Sequence, residues 1–195
     1  MDVEVETLRE RRRSASIRLY GLEAAGTTAD APDLGELDEI VALTRQTLEV
    51  GGAGVNLFVD DTQVTVAGTG PLPEPVPRAR SICSTLVRSD EAADLLEVPD
   101  LSADPRFAHS PFVDGRECAL RFYAAAPLHG KHGLVLGTLC VWDATAQTLD
   151  ERRRALLRTF GRSVVNVLDQ RRRALVPDHS GALRTAPISL RGAGA

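Results

Sequence analysis

The feature of this sequence that most restricts its fold is the run at residues 134–142, which is apolar except for Gly137 and Thr138. A helix that spans a bilayer needs about 20 such residues, so this run is too short to cross a membrane and is typical of a buried strand. Residues 120–128 form a second strand pattern with small residues at its centre. The segment between the two, His-Gly-Lys-His-Gly, is typical of a turn. Together these segments predict a β-hairpin.

The remaining patterns predict further helices and a second hairpin. Asp33 is suited to cap a helix that ends before Gly51, with Glu36 as its capping-box partner. The other predicted elements are a helix at residues 1–25, strands at 53–59 and 63–67 around an Asp-Asp turn, a short helix at 80–88, a strand at 95–98 and a long helix at 149–174. This order predicts an α+β fold with an antiparallel sheet and helices on one side of it.

The chain divides into three predicted regions. Residues 1–25 form an amphipathic helix, residues 26–174 form the domain, and residues 175–195, rich in Gly, Ser, Ala, Pro and Thr, form a disordered tail. The first helix carries an apolar seam made of Val5, Leu8, Ala15, Leu19 and Leu22. This seam is compatible with packing on its own domain and with pairing between two copies of the chain, and the pattern does not separate the two.

Composition excludes several function classes. A net charge of -4 and an aromatic content of 4% argue against a nucleic-acid surface, which needs clustered positive charge or stacking rings. The N-terminus lacks the pattern of a secretory signal, and no run is long enough to span a membrane. Three cysteines, far apart in sequence, do not form a disulfide framework. We therefore expect a cytoplasmic protein without membrane or nucleic-acid partners.

Three motifs resemble GAF domains of bacterial signalling proteins. They are VPDLSADPRFAHSPFV, LRFYAAAPL and GLVLGTLCVWD, in this order, and the resemblance covers about residues 15–173. It implies a GAF-like central antiparallel sheet of five or six strands with helices on one face. The loops and short helices of residues 68–122 would then cover the other face, with any ligand pocket between that face and the covering segments.

The resemblance also implies a function. Many GAF domains bind a cyclic nucleotide, a tetrapyrrole, a small anion or a metabolite, whereas others bind no known ligand and serve as dimerisation or relay modules. We expect no output domain within these 195 residues, because the predicted domain and its flanking segments take up their length. We therefore expect a non-catalytic sensory or regulatory domain, with no required cofactor, that forms a homodimer through its terminal helices and signals to a separate partner protein. An interaction module with a filled pocket is an alternative.

Eight residues are candidates for ligand contact because the resemblance places them near the pocket. Aspartates beside prolines are also good turn formers, and aromatic residues are more often core, so each candidate has a structural alternative. Because side chains alternate along a strand, at most one of the Phe-Tyr pair that opens the strand at 120–128 faces the pocket. The candidates are Cys83, Asp100, Arg106, Phe107, Phe112, Arg121, Phe122 and Tyr123.

The cysteines allow an enzymatic alternative. Free methionine-(R)-sulfoxide reductases share the GAF fold and use cysteine attack followed by disulfide formation. Cys118, beside Arg116 and Glu117, is the most plausible reactive thiol, and Cys83 is a candidate partner. Cys140 lies within an apolar strand and is expected to be an inert buried residue. The sequence around the first two cysteines does not resemble those enzymes, so the non-catalytic hypothesis is preferred.

The histidines do not predict a metal site. His129 and His132 lie in a hairpin turn without a neighbouring cysteine or carboxylate to complete the coordination. His109 lies in the covering loop and is a weak candidate for a haem ligand. Attachment of a bilin is not expected, because Cys118 is followed by Ala119 rather than by histidine.

Overall fold

The computed structural model of the chain describes residues 2–20, 34–69, 75–88, 94–130 and 133–175. Four α-helices and six strands are present in these residues, together with a 3-10 turn at Arg78–Arg80. In chain order they are α1 (Asp2–Leu19), α2 (Gly35–Leu48), β1 (Gly52–Val59), β2 (Thr62–Gly68), β3 (Val76–Pro77), α3 (Ser84–Arg88), β4 (Leu96–Val98), β5 (Phe122–His129), β6 (Val135–Asp143) and α4 (Glu151–Leu175).

The six strands form one antiparallel sheet in the order β3-β2-β1-β6-β5-β4. Both predicted hairpins are present, β1–β2 around Asp60 and Asp61 and β5–β6 around the Gly-rich turn. Asp60 has a φ of 48°, a left-handed conformation that aspartate tolerates better than most residues. The predicted α+β architecture, with six strands, is confirmed.

Helices α1, α2 and α4 cover one face of the sheet. On α2 the buried side chains recur at helical spacing (Leu37, Val41, Thr44 and Leu48), and on α4 the side chains of Leu157, Val164 and Leu168 are likewise buried. They pack on apolar side chains from the inner strands, and this layer is the larger of two core clusters.

The opposite face is covered by non-repetitive chain. The 3-10 turn, α3 and the loop at residues 99–121 lie over it, and a second core cluster fills the space between. Its buried members are Phe58, Ile82, Cys83, Leu86, Val98, Leu101, Phe107, Val113, Tyr123, Ala125 and Cys140. The central strands are therefore buried on both faces, which explains why β1 is apolar over nearly its whole length.

The N-terminal helix packs through a face other than the predicted seam. Leu8 is 51% exposed and Ala15 is also exposed, whereas Ile17 and Tyr20 are buried on the sheet. Polar contacts fix this orientation, because the Arg13 Nε donates to the carbonyl of Val135 at 2.7 Å. The alternative in which this seam packs on its own domain is therefore wrong for Leu8 and Ala15. The side chains of Val5 and Leu19 are not described, and Leu22 lies outside the described residues.

Other sequence expectations differ in detail. The predicted loop at 68–77 contains the short edge strand β3, where Pro77 pairs with Thr62; an edge position tolerates a residue without an N–H. The predicted helix at 80–88 is present only as α3, and the 3-10 turn precedes it and ends at Arg80. The proposed cap Asp33, the linker before it, and the predicted disordered tail beyond residue 175 lie outside the described residues.

Candidate functional site

A cavity of ≈ 280 Å³ lies between the sheet and the segments that cover its second face. The strands form its floor and the covering segments form its walls. Its lining residues are Gly54, Asn56, Gln63, Thr65, Gly68, Thr69, Val76, Ser81, Ile82, Cys83, Phe112, Cys118, Leu120, Tyr123, Cys140 and Trp142. This is the location that the resemblance to GAF domains implied for a ligand pocket.

Strand alternation and register explain why these side chains meet. Gly54 pairs with Cys140 across β1 and β6, and Tyr123 pairs with Trp142 across β5 and β6, so all four lie on the same face. The hairpin register that starts at the Asp60-Asp61 turn places Thr65 directly opposite Asn56. The register of β1 and β2 shifts only beyond this pair, between Asn56 and Val55.

Asn56 is the centre of the hydrogen-bond network on the cavity floor. Its side chain is 4% exposed, and its Oδ1 accepts hydrogen bonds from Thr65 Oγ1 at 2.7 Å and from Gln63 Nε2 at 3.1 Å. Its Nδ2 donates to the sulfur of Cys140 at 3.0 Å and to that of Cys83 at 3.5 Å. A buried amide that satisfies both its oxygen and its nitrogen in this way fixes the positions of all its partners.

Two buried thiols lie side by side on this floor. The phenol of Tyr123 donates to the sulfur of Cys83 at 2.8 Å. Hydrogen bonding by the Cys140 thiol lowers the pKa of Cys83 to about 7 although burial opposes the change, and the hydroxyl of Tyr123 acts in the same direction. The reciprocal contact and burial raise the pKa of Cys140. Burial likewise raises the pKa of Tyr123, so its phenol keeps the proton that it donates.

The cavity lining contains no strong acid or base. Its described residues include no Lys, Arg, His, Asp or Glu, and Cys83, with a pKa of about 7, ionises near neutral pH. Charged groups lie outside it, where Arg80 forms an ion pair with Glu117 and places its guanidinium 5.8 Å from the ring centre of Phe112. Cys118 lines the cavity at its exposed side. The site therefore combines apolar walls with polar, uncharged groups on the floor.

The structure brings three of the eight candidate ligand residues to this cavity: Cys83, Phe112 and Tyr123. Of the pair in β5, Tyr123 faces the cavity and Phe122 faces the helical layer, as strand alternation required. Phe107 is buried in the second core cluster and borders a separate surface hollow with Arg106.

The charged candidates organise the covering loop instead of lining the cavity. Asp100 accepts hydrogen bonds from the amide and hydroxyl of Ser102, and these lower its pKa. Arg106 forms an ion pair with Asp104 at 2.6 Å, and Arg121 donates from Nη1 to two main-chain carbonyls of the loop, each at 3.0 Å. The contacts of Asp100 and Asp104 are therefore those of turn formers, which is the structural role given above as the alternative for aspartates beside prolines.

The sequence interpretation missed most of the polar floor. Asn56, Gln63, Thr65 and Ser81 were not candidates, and Cys140 was assigned an inert core role although its sulfur lies beside that of Cys83. A signal was available for Asn56, because a lone asparagine within an otherwise apolar strand has to be paired when it is buried. No comparable signal marked Ser81.

The described residues contain neither a metal-binding cluster nor a membrane-spanning helix. Within the described residues, no group of three or more His, Cys, Asp or Glu side chains is arranged to hold a metal ion. No described helix combines the length and apolarity that crossing a bilayer requires.

Comparison with known sequences identifies one related protein of known activity. A cyclic di-GMP phosphodiesterase of Pseudomonas aeruginosa is 35% identical over 129 residues, which cover 66% of this chain and 21% of that protein. The chain thus matches about a fifth of the relative's length.

Solved structures and the family profile give the same fold. The GAF domain of a phosphoenolpyruvate-protein phosphotransferase from Coxiella burnetii has a TM-score of 0.60 at 15% identity, and the match covers 86% of this chain and 95% of that one. A free methionine-R-sulfoxide reductase from Neisseria meningitidis, solved with its substrate, has a TM-score of 0.59 at 18% identity. The match covers 80% of this chain and 87% of that one. The GAF domain profile itself matches residues 35–168. This match, supported by the six-stranded sheet, shows that the chain belongs to the GAF domain family.

Proposed function

We propose that this chain is a non-catalytic sensory domain that binds an uncharged small molecule in the cavity over the sheet. The observation that carries the proposal is that the described cavity lining holds no Lys, Arg, His, Asp or Glu, while its floor offers hydroxyl, amide and phenol groups. Pockets of this kind, apolar with a few polar groups, are typical of small-molecule sites.

The same observation argues against anionic ligands. A cyclic nucleotide would place a phosphate against walls on which none of the described residues is a cation. Burying an uncompensated charge is costly, so such a ligand is expected to bind weakly or not at all. The related phosphodiesterase acts, by its name, on cyclic di-GMP, but it matches this chain over about a fifth of its own length.

The test is a thermal-shift screen of the full chain against neutral heteroaromatic metabolites, with cyclic GMP and cyclic di-GMP as anionic probes. We expect stabilisation by neutral compounds only. The variant Val76→Trp, which adds an indole ring beside the cavity, should abolish it, whereas Ala155→Trp on the exposed side of α4 should not. Stabilisation by the cyclic nucleotides, or stabilisation that survives Val76→Trp, would refute the proposal.

We also propose that two copies of the chain pair through their terminal helices. The exposure of Leu8 and Ala15 on α1 supports this, since the face that packs on the domain leaves this seam uncovered. Light scattering at about 50 µM, roughly twenty-fold below a Kd of 1 mM, should give the mass of a dimer. Leu8→Glu should yield monomers, and Leu43→Glu, at an equally exposed leucine of α2, should not. A monomeric wild type contradicts the proposal.

The thiol-enzyme alternative has one observation in its favour, because all three cysteines line the cavity. Free methionine sulfoxide, however, is a zwitterion, and the described cavity residues provide no charged partner for its ammonium or its carboxylate. We therefore expect no turnover of free methionine-R-sulfoxide by the wild-type chain. Turnover that is lost in Cys118→Ser would reverse this assignment.

A further inference from the structure

We propose that Cys83 and Cys140 form a redox-reactive pair on the cavity floor, which small hydroperoxides convert to a disulfide. The modification needs the cavity only as a path for the oxidant, so it does not depend on the sensory function proposed above.

The placement of the two sulfurs is the first argument. Both accept hydrogen bonds from the same nitrogen, Nδ2 of Asn56, at 3.5 Å and 3.0 Å. The sulfurs are therefore no further apart than the sum of those two distances. Cys83 precedes α3 in the covering layer and Cys140 is central in β6, so tertiary packing alone brings them together.

The polar surroundings are the second argument. A thiolate is the nucleophile in thiol oxidation, and donors that point at the sulfur stabilise it. Hydrogen bonding by Cys140 and then by Tyr123 holds the pKa of Cys83 at about 7, against the opposing effect of burial. Cys140 keeps its proton because its own pKa is raised. The pair thus consists of an attacking sulfur and a protonated neighbour, a division that two equivalent buried thiols would lack.

The reaction balances with a hydroperoxide as the oxidant. The Cys83 thiolate attacks the outer peroxide oxygen, an S–O bond forms and the O–O bond breaks, and the alcohol or water leaves after taking a proton. The sulfur of Cys140 then attacks the sulfur of Cys83. An S–S bond forms, the S–O bond breaks, and the hydroxide leaves as water with the proton of Cys140. Two thiols are oxidised by two electrons, and the peroxide is reduced.

Cys118 provides an internal comparison. It lines the same cavity but is exposed, and no hydrogen bond of its sulfur to another cysteine is present among the described residues. Ordinary oxidation governed by exposure would modify Cys118 first. The proposal requires the opposite product, a cross-link between the two buried residues.

The experiment treats the full chain with a small excess of hydrogen peroxide, blocks the remaining thiols and maps the peptides without reduction. We expect a Cys83–Cys140 disulfide in the wild type and in Cys118→Ser, reversed by dithiothreitol. Cys140→Ser should stop at a sulfenic acid on Cys83 that dimedone traps, and Cys83→Ser should leave Cys140 reduced.

Two outcomes overturn the proposal: oxidation confined to Cys118, or Cys140 oxidised as fast in Cys83→Ser as in the wild type. Circular dichroism of each variant controls for folding. If the Cys140→Ser variant is unfolded, it is replaced by Cys140→Ala, which adds no polar group at this position. Neither outcome affects the thermal-shift screen, so this proposal and the ligand proposal fail separately.

Discussion

Replacement of Asn56 by alanine is the most direct test of the network on the cavity floor. The side chain accepts from Thr65 and Gln63 and donates to the sulfurs of Cys83 and Cys140. Asn56→Ala removes all four contacts at once. Thr65 is buried and loses its acceptor, while Gln63 is half-buried at the cavity, where water can replace the lost oxygen.

The expected magnitude follows from these contacts. A net contribution of about 1 kcal/mol for each of the two bonds to the carbonyl oxygen gives about 2 kcal/mol, and the two weaker N–H···S contacts together add about 1 kcal/mol. The new space joins an existing cavity that water can enter, so a further cavity cost is small. We therefore expect the free energy of unfolding to fall by about 3 kcal/mol, equivalent to roughly 6–12 °C in Tm for a chain of this size.

The assay is urea unfolding followed by circular dichroism, with an unchanged m-value as the sign that only stability has changed. Asn166→Ala is the matched control. Asn166 is exposed on α4, where alanine is the better helix former, so this variant should be unchanged or slightly more stable. If the free energy of unfolding of Asn56→Ala lies within about 0.5 kcal/mol of the wild-type value, the hydrogen bonds of Asn56 do not stabilise the cavity floor and the reasoning fails.

Three further predictions concern the sheet and the cavity over it. Tyr123→Phe removes a donor to the Cys83 sulfur, so the pH midpoint for iodoacetamide labelling of Cys83 should rise from about 7 by about one unit; an unchanged midpoint contradicts this. Because that folded-state pKa lies below the ordinary value of 9.0, the folded state binds fewer protons, and the free energy of unfolding should increase between pH 7 and 9. The free energy of unfolding of Cys83→Ser should show no such increase over the same pH range. Gly137→Ala should cost more than about 4 kcal/mol, because the added Cβ would lie 1.9 Å from the carbonyl oxygen of Asn56; a variant with wild-type circular dichroism and Tm would disprove the clash.

The sheet was predictable because its signals are local. Alternating or continuous apolar runs bounded by Asp-Asp or Gly-rich turns define β1, β2, β5 and β6, and the order of elements gives the fold class. The face through which α1 packs was not predictable in the same way. It depends on Arg13 and Ser14, polar residues that are buried because they bond to the β5–β6 and β1–β2 hairpins, respectively. An apolar periodicity cannot register such contacts.

The cavity was less predictable than the sheet because its polar groups come from distant parts of the chain. Ser81 and Cys140 look unremarkable within their own segments, and the lone Asn56 of β1 indicates a buried hydrogen bond without indicating its partners. Their relation depends on the pairing of β1 with β6 and on the packing of the segment that contains Ser81 over the sheet. The cysteine pairing illustrates this, since sequence reasoning matched Cys83 with the exposed Cys118 whereas the fold matches it with Cys140.

The first of the three GAF-like motifs lies beside the cavity and contributes little to its floor. Within VPDLSADPRFAHSPFV, the carboxylates of Asp100 and Asp104 bond to residues two positions further along the same loop. They give the covering loop its shape, so a sequence that keeps them keeps the covering layer over the sheet. Of this motif only Phe112 lines the cavity, and polar groups of the floor such as Asn56 and Ser81 lie outside it. Membership of the family therefore fixes where a ligand would bind, while the chemistry of that ligand depends on positions that the motif does not constrain.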